Sequence, residues 1–88
     1  MIEESVVVEN SLGIHARPAS MIVQTAMKFK SDIKLVKNGA SADAKSIMSV
    51  MMLAAACNTT VVITASGEDE NEAVKAIRAL FEQKFNEE

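Results

Sequence analysis

Hydrophobic and polar positions alternate at the start of the chain. Ile2, Glu4, Val6 and Val8 fall on one side of an extended segment, and Glu3, Ser5, Val7 and Glu9 on the other. The segment is rich in β-branched residues and ends at the polar break Glu9-Asn10-Ser11. It predicts a strand over Ile2–Val8 with Val6 and Val8 inward. After Gly13 the period changes. Ala19, Ile22, Val23, Ala26 and Phe29 recur at the spacing of one helix face, which predicts a helix from Ala16 to Lys28. Pro18 lies near its front, where a missing N–H costs no helix bond. Lys28 and Lys30 lie near its back, where cations suit the helix dipole.

Alternation returns over Ile33–Lys37. Asn38-Gly39 follows, a pair suited to the two positive φ angles of a type I′ hairpin turn, and Ala40–Asp43 is the return strand. Its small side chains predict a weak edge strand. Ser46 to Ala55 is predicted as a short second helix, with Ser46 as N-cap and Asn58 as a left-handed terminator. Val50, Leu53 and Ala54 can face a core, flanked by Ile47 or Met51. Met48 and Met52 are then surplus. Thr60–Ala65 is a fourth strand, stopped by Ser66-Gly67. Asp69 and Glu72 have capping-box spacing at the front of a third helix. Its buried side runs through Val74, Ile77, Phe81 and Lys84, widened by Ala73, Leu80 and Phe85. The order βαββαβα predicts an α+β fold, a mostly antiparallel four-stranded sheet with helices on one face. No repeat, linker or low-complexity segment interrupts it.

Length sharpens this picture. At 88 residues the chain predicts one domain, 1–88, too small for two lobes around a cleft. Apolar residues make up 49 % and charged residues 24 %, the balance of an ordinary globular chain. The aromatics are three Phe, with neither Trp nor Tyr, and the net charge is −3. Both features argue against a nucleic-acid binder, which uses stacking platforms and cationic surface. Cys57 is the one cysteine and cannot form an internal disulfide, as expected in a reducing compartment. The acidic start Met1-Ile2-Glu3-Glu4 lacks the cationic region of a signal peptide. The longest apolar run, Val50–Cys57, falls far short of the roughly 20 residues that span a bilayer. A cytoplasmic protein with no membrane insertion is expected.

Chemistry is concentrated in one place. The chain has a single His and a single Pro, and His15, Arg17 and Pro18 share a window of four residues where the first helix begins. A helix N-terminus offers unpaired N–H groups and the positive end of a dipole, a ready anion site at Ala16, Arg17 and Pro18. Arg17 adds a planar fork of donors suited to phosphate oxygens. An imidazole with the ordinary pKa of about 6.5 is largely neutral, hence nucleophilic, near pH 7. The group describes a phosphorylatable His15 with its own anion hole. By spacing alone, a lone surface or capping histidine fits as well. A metal site does not, because no second His or Cys lies nearby. The second helix poses a related choice. Either Ile47, Met48 and Met51 are exposed and suit protein docking through flexible thioethers, or the helix is simply well buried.

Two segments carry a resemblance. Leu12-Gly13-Ile14-His15-Ala16-Arg17-Pro18-Ala19 and Lys45-Ser46-Ile47-Met48 resemble the two signatures of the HPr family. These are the histidine-containing phosphocarriers of the bacterial phosphoenolpyruvate-dependent sugar phosphotransferase system. The likeness extends to Asn38-Gly39, to Ser66-Gly67-Glu68-Asp69-Glu70 and to the whole length. It implies an open-faced β-sandwich, four antiparallel strands covered by three helices. It also implies a carrier, not an ATP-using catalyst. Such a carrier accepts a phosphoryl group from phospho-enzyme I on Nδ1 of His15, with Arg17 assisting, and donates it to sugar-specific enzyme IIA. It further implies phosphorylation of Ser46 by an HPr kinase/phosphorylase, and through that a catabolite-control transcription factor as partner. Ile47, Met48 and Met51 would surround His15 as the docking surface. No cofactor is implied, and a shuttle between partners should be a monomer. Lys45 is either a helper in placing phosphate or a solvated cation.

The sequence departs from the family pattern at four positions. Ser49 stands where Gly is usual, Ala54 and Asn58 where Gly is frequent, and Leu12 where a small polar residue is usual. None removes a chemical group from the transfer site, but those in and after the second helix bear on partner choice. Three other readings stay open. An acylphosphatase-like enzyme would need an Arg-bearing phosphate loop after the first strand and a helical Asn. The first segment supplies only Asn10, in a loop. A regulatory module of this fold would lack the histidine. A nitrogen-branch carrier shares the chemistry, although Ser46-Ile47-Met48 favours the sugar branch.

Overall fold

The computed structural model describes residues 1–86. Four strands form one antiparallel sheet: β1 Ile2–Val7, β2 Asp32–Lys37, β3 Ala40–Asp43 and β4 Thr60–Ser66, in the spatial order β1-β4-β2-β3. Val6 lies opposite Val61, Leu35 opposite Ile63 and Ala42 opposite Leu35. This register aligns the inward residues of all strands, so Val6, Val61, Ile63, Ala65, Ile33, Leu35 and Ala42 are buried together. Their neighbours Glu3, Ser5 and Lys34 remain exposed on the other face. The period-2 pattern of the sequence is therefore the pattern of a sheet covered on one side.

Three helices provide the cover: α1 Ala16–Ala26, α2 Ile47–Met52 and α3 Glu70–Glu82. Ala19, Ile22 and Ala26 of α1 and Ala73, Val74, Ile77 and Phe81 of α3 are buried, which completes the core. The arrangement is the expected open-faced β-sandwich. The β2–β3 turn has Asn38 at φ +50° and Gly39 at φ +84°, the two left-handed residues of a type I′ turn. β3 is an edge strand, as its small residues predict.

Several boundaries differ from expectation, the end of α1 among them, at Ala26 and not at Lys28. Helix α2 ends at Met52, not at Ala55. Ala54 takes the left-handed φ of +54° and turns the chain, and the Lys37 ammonium donates to its carbonyl at 3.1 Å. Ala54 is thereby exposed, and Ala55 joins Val50 and Leu53 in the core instead. Asn58 is left-handed too, at φ +73°, but in the turn into β4, where its N–H donates to the Val8 carbonyl at 2.7 Å.

Asp69 precedes α3 without capping it through Glu72. Its carboxylate accepts from the Ser31 hydroxyl and from the N–H groups of Lys30 and Ser31 at 2.8 and 2.9 Å, tying α3 to the start of β2. Those donors, the Ser31 hydroxyl foremost, hold the Asp69 carboxyl below its ordinary range. Glu70 makes the reach-back bond, accepting from the Gly67 N–H at 3.0 Å, and that bond lowers its own carboxyl. At the other end, α3 stops at Glu82. Lys84, Phe85 and Asn86 have φ of +53°, +53° and +60°, a left-handed turn that takes Lys84 off the helix face. It also folds Phe85 back, edge to face, onto Phe81 with ring centroids 5.0 Å apart.

Candidate functional site

His15 is the N-cap of α1. Its backbone is extended at φ −107° and ψ −164°, and its carbonyl accepts the first helix bond from Ala19 at 3.0 Å. Its side chain makes no capping bond to the helix, so the imidazole is not spent on closing the first turn. The residue is half-buried, and Ala16 and Arg17 beside it are exposed. Pro18 is buried and anchors the first turn in the core. Having no N–H, it leaves the Ala16 and Arg17 N–H groups as the nearest main-chain donors after His15. No acidic residue occupies the first turn of α1, so the positive end of the dipole and the guanidinium act without a competing carboxylate there.

The loop before His15 is braced on both sides. The Asn10 side chain, fully buried, donates through Nδ2 to the Gly13 carbonyl at 2.6 Å, and the Gly13 N–H donates to the Asn10 carbonyl at 3.0 Å. Gly13 has φ +71°, and a Cβ there would lie 2.7 Å from the Ala55 carbonyl oxygen. Only glycine fits both demands. The Ile14 N–H then donates to that same Ala55 carbonyl at 2.8 Å. The segment after α2 is therefore a wall of the His15 loop.

These bonds also set the direction of α2. Its far end meets the beginning of α1 through Ile14 and Ala55, and its near end meets the end of α1, where Lys45 Nζ donates to the Phe29 carbonyl at 2.9 Å. The two helices pack antiparallel. Ser46 and His15 consequently stand at opposite ends of the pair. Lys45 is not simply a solvated cation, because its ammonium is engaged at the end of α1. Ser46 caps α2 as expected, its Oγ accepting from the Ser49 N–H at 3.2 Å. Ser49, where the family usually has Gly, adds a bond of its own: its hydroxyl accepts from the Asp43 N–H at 3.0 Å.

The surplus apolar residues of α2 are on the surface. Ile47 is 44 % exposed, Met48 70 %, Met51 39 % and Met52 79 %. Leu12, three positions before His15, is 75 % exposed. Leu12 and Met52 are exposed apolar residues that were not among the expected docking residues. Met52 was legible as a surplus methionine. Leu12 was legible only as an apolar residue inside a polar break, whose neighbour Ile14 takes the core position. Among the described residues, no group of three or more His, Cys, Asp or Glu is placed to hold a metal ion. No helix among them is long and apolar enough to cross a membrane.

Comparison with known proteins agrees with this geometry. A family model described as the PTS HPr component phosphorylation site matches residues 2–83. The phosphocarrier protein HPr of Treponema pallidum is 47 % identical over 88 residues, covering 100 % of both chains. The crystal structure of an HPr from Thermoanaerobacter tengcongensis superposes with a TM-score of 0.96 at 45 % identity, covering 100 % of this chain and 99 % of the other. An HPr dimer from the same organism superposes at 0.77 with 45 % identity, covering 97 % of this chain and 98 % of the other. With its sandwich, its His15 helix start and full-length likeness in both sequence and structure, the chain belongs to the HPr family of phosphocarrier proteins of the phosphotransferase system.

Proposed function

We propose that His15 is the residue that carries the phosphoryl group, accepting it from phospho-enzyme I and donating it to an enzyme IIA of a sugar transport system. The observation that supports this most directly is the division of labour at position 15. The main chain caps α1 while the ring stays off the cap, next to an exposed Arg17 and a helix end free of carboxylates in its first turn. In the forward step the Nδ1 lone pair attacks phosphorus in line. The new N–P bond forms as the bond from phosphorus to the donor breaks, and the PO₃ unit moves whole. Donation to enzyme IIA is the reverse. The transition state of such transfers is loose, so the protein mainly positions groups and balances charge. The N–H groups of Ala16 and Arg17 and the guanidinium meet the arriving phosphoryl oxygens, each with a stabilisation of about 1 kcal/mol. That modest grip suits a carrier, which must release what it binds. The protein acts as a stoichiometric shuttle in the cytoplasm, a single domain working as a monomer, and the catalytic groups come from its partners.

Ser46 is the regulatory site in this reading, modified by an HPr kinase/phosphorylase and read in that state by a catabolite-control regulator. A phosphate there adds roughly −2 charge. Its effect on transfer is exerted on the docking face formed by Ile47, Met48 and Met51, since Ser46 stands at the opposite end of the helix pair from His15. The test is incubation with phosphoenolpyruvate and enzyme I, followed by intact mass spectrometry. One acid-labile phosphate, absent in His15→Ala, is expected. A phosphate that survives in His15→Ala removes His15 from the role.

A further inference from the structure

Away from the residues of the His15 site, the sheet leaves one long edge open. β1 is the outermost strand, six residues long, with neither Lys nor Pro, the residues that commonly blunt such edges. The phase of its hydrogen bonds can be read at its end. The Val8 N–H donates to the Thr59 carbonyl at 2.9 Å and the Val8 carbonyl accepts from Asn58 at 2.7 Å, so the main chain of Val8 faces β4. In an antiparallel ladder these directions alternate. The N–H and C=O groups of Ser5 and Val7 therefore point to the open edge. A cavity of about 320 Å³ runs along that edge, between Ser5–Val7 with Glu9 on one side and Arg78, Phe81 and Glu82 of α3 on the other.

The cavity has an apolar floor in Val6 and Phe81, both buried. Its rim is acidic. Arg78 is engaged by Glu4 and by Glu82, bonds that raise its already high pKa and pair its charge. Glu9 also lines the cavity, so three carboxylates stand against one guanidinium. We propose that this edge takes up an extended segment of a partner protein as a fifth strand. Its inward side chains are an apolar residue over Phe81 and Val6, flanked at two-residue spacing by Lys or Arg facing Glu9 and Glu82. Main-chain bonds from Ser5 and Val7 supply affinity, and the alternate side chains supply selectivity. A second copy of this chain is the wrong occupant, because its own β1 would bring Glu3, Glu4 and Glu9 against the same carboxylates. The proposal does not depend on His15 being the phosphorylated residue.

The probe is a synthetic seven-residue peptide, acetylated and amidated, with threonine at its odd positions and lysine, valine, lysine at its even ones. Titrated into the isotope-labelled protein, it is expected to give saturable amide shifts at Ser5, Val7, Phe81 and Glu82, with slowed hydrogen exchange at Ser5 and Val7. Replacing both lysines with glutamate should weaken binding at least ~tenfold, since two charge contacts are reversed. Val7→Pro removes an edge-facing donor, a change edge strands tolerate, and should abolish binding while a thermal melt shows the fold retained. Should that variant not fold, Glu9→Lys at an exposed position gives the second reading: preference should shift toward the glutamate peptide. No saturable shift along β1 overturns the proposal, as does equal binding of the two peptides. Concentration-dependent shifts along β1 without peptide overturn it in favour of self-association.

Discussion

His15 holds the N-cap with its main chain, and its ring makes no capping bond. Ser, Thr, Asp or Asn at that position would bond the first turn with the side chain. Histidine gives up that bond, and the anchoring passes to buried Pro18 behind it and to the Asn10–Gly13 lock ahead of it. Arg17 is exposed. Arg17→Ala is therefore expected to leave thermal stability unchanged and to slow phosphoryl transfer at least ~tenfold, the equivalent of about 1.4 kcal/mol of transition-state stabilisation. Rapid-quench measurement of transfer from phospho-enzyme I checks this, and parental kinetics would remove Arg17 from the site. The trio itself was legible as residue types at a helix start. The wall that holds the loop was not, because Gly13 and Ile14 meet Ala55 only through the fold.

At the scale of elements, α2 is the least self-sufficient helix. It has six residues, one of them buried, and its closure rests on the Ser46 cap. Ser46→Ala should cost about 1 kcal/mol, measured by urea denaturation. Ser46→Asp can retain a cap while adding charge, so it separates the two roles of the residue. The expected outcome is near-parental stability with slower phosphorylation of His15, and an unaltered rate would argue against electrostatic control. Met48→Glu, at 70 % exposure, should weaken binding of enzyme I in a calorimetric titration without destabilising the protein. The opposite holds for Phe85. Its ring is fully buried against Phe81 by the left-handed turn after α3. Phe85→Ala should cost about 3–5 kcal/mol, although the residue lies outside every regular helix.

The molecule as a whole is closed by contacts distant in sequence, and the Asp69 clasp is one of those that titrate. Its donors lower the native pKa below the ordinary value of 3.8. A depressed carboxylate contributes stability above the unfolded pKa and loses it as pH falls through the native one. Glu70, lowered from 4.5 by the Gly67 N–H, acts in the same direction. Stability should be level near neutrality and decline below about pH 4. Asp69→Asn should melt at a lower temperature than the parent at pH 7, with the difference shrinking on acidification below pH 3.8. A difference that grows in acid would contradict the clasp. None of this was legible beforehand: capping-box spacing assigned Asp69 to Glu72, whereas the fold brings Ser31 to it first.

Local periodicity was enough to determine the element order, the one-faced sheet, the type I′ turn at Asn38-Gly39 and the cluster of His15, Arg17 and Pro18 at a helix start. Alternation and helical spacing are written in adjacent residues, and burial simply obeys them. The tertiary structure alone decided where α2 and α3 stop, which donors Asp69 accepts from and which carbonyl Lys45 serves, and that Ser46 and His15 stand at opposite ends of one helix pair. Most of those outcomes turn on contacts between segments far apart in the chain. No local pattern can report which partner arrives.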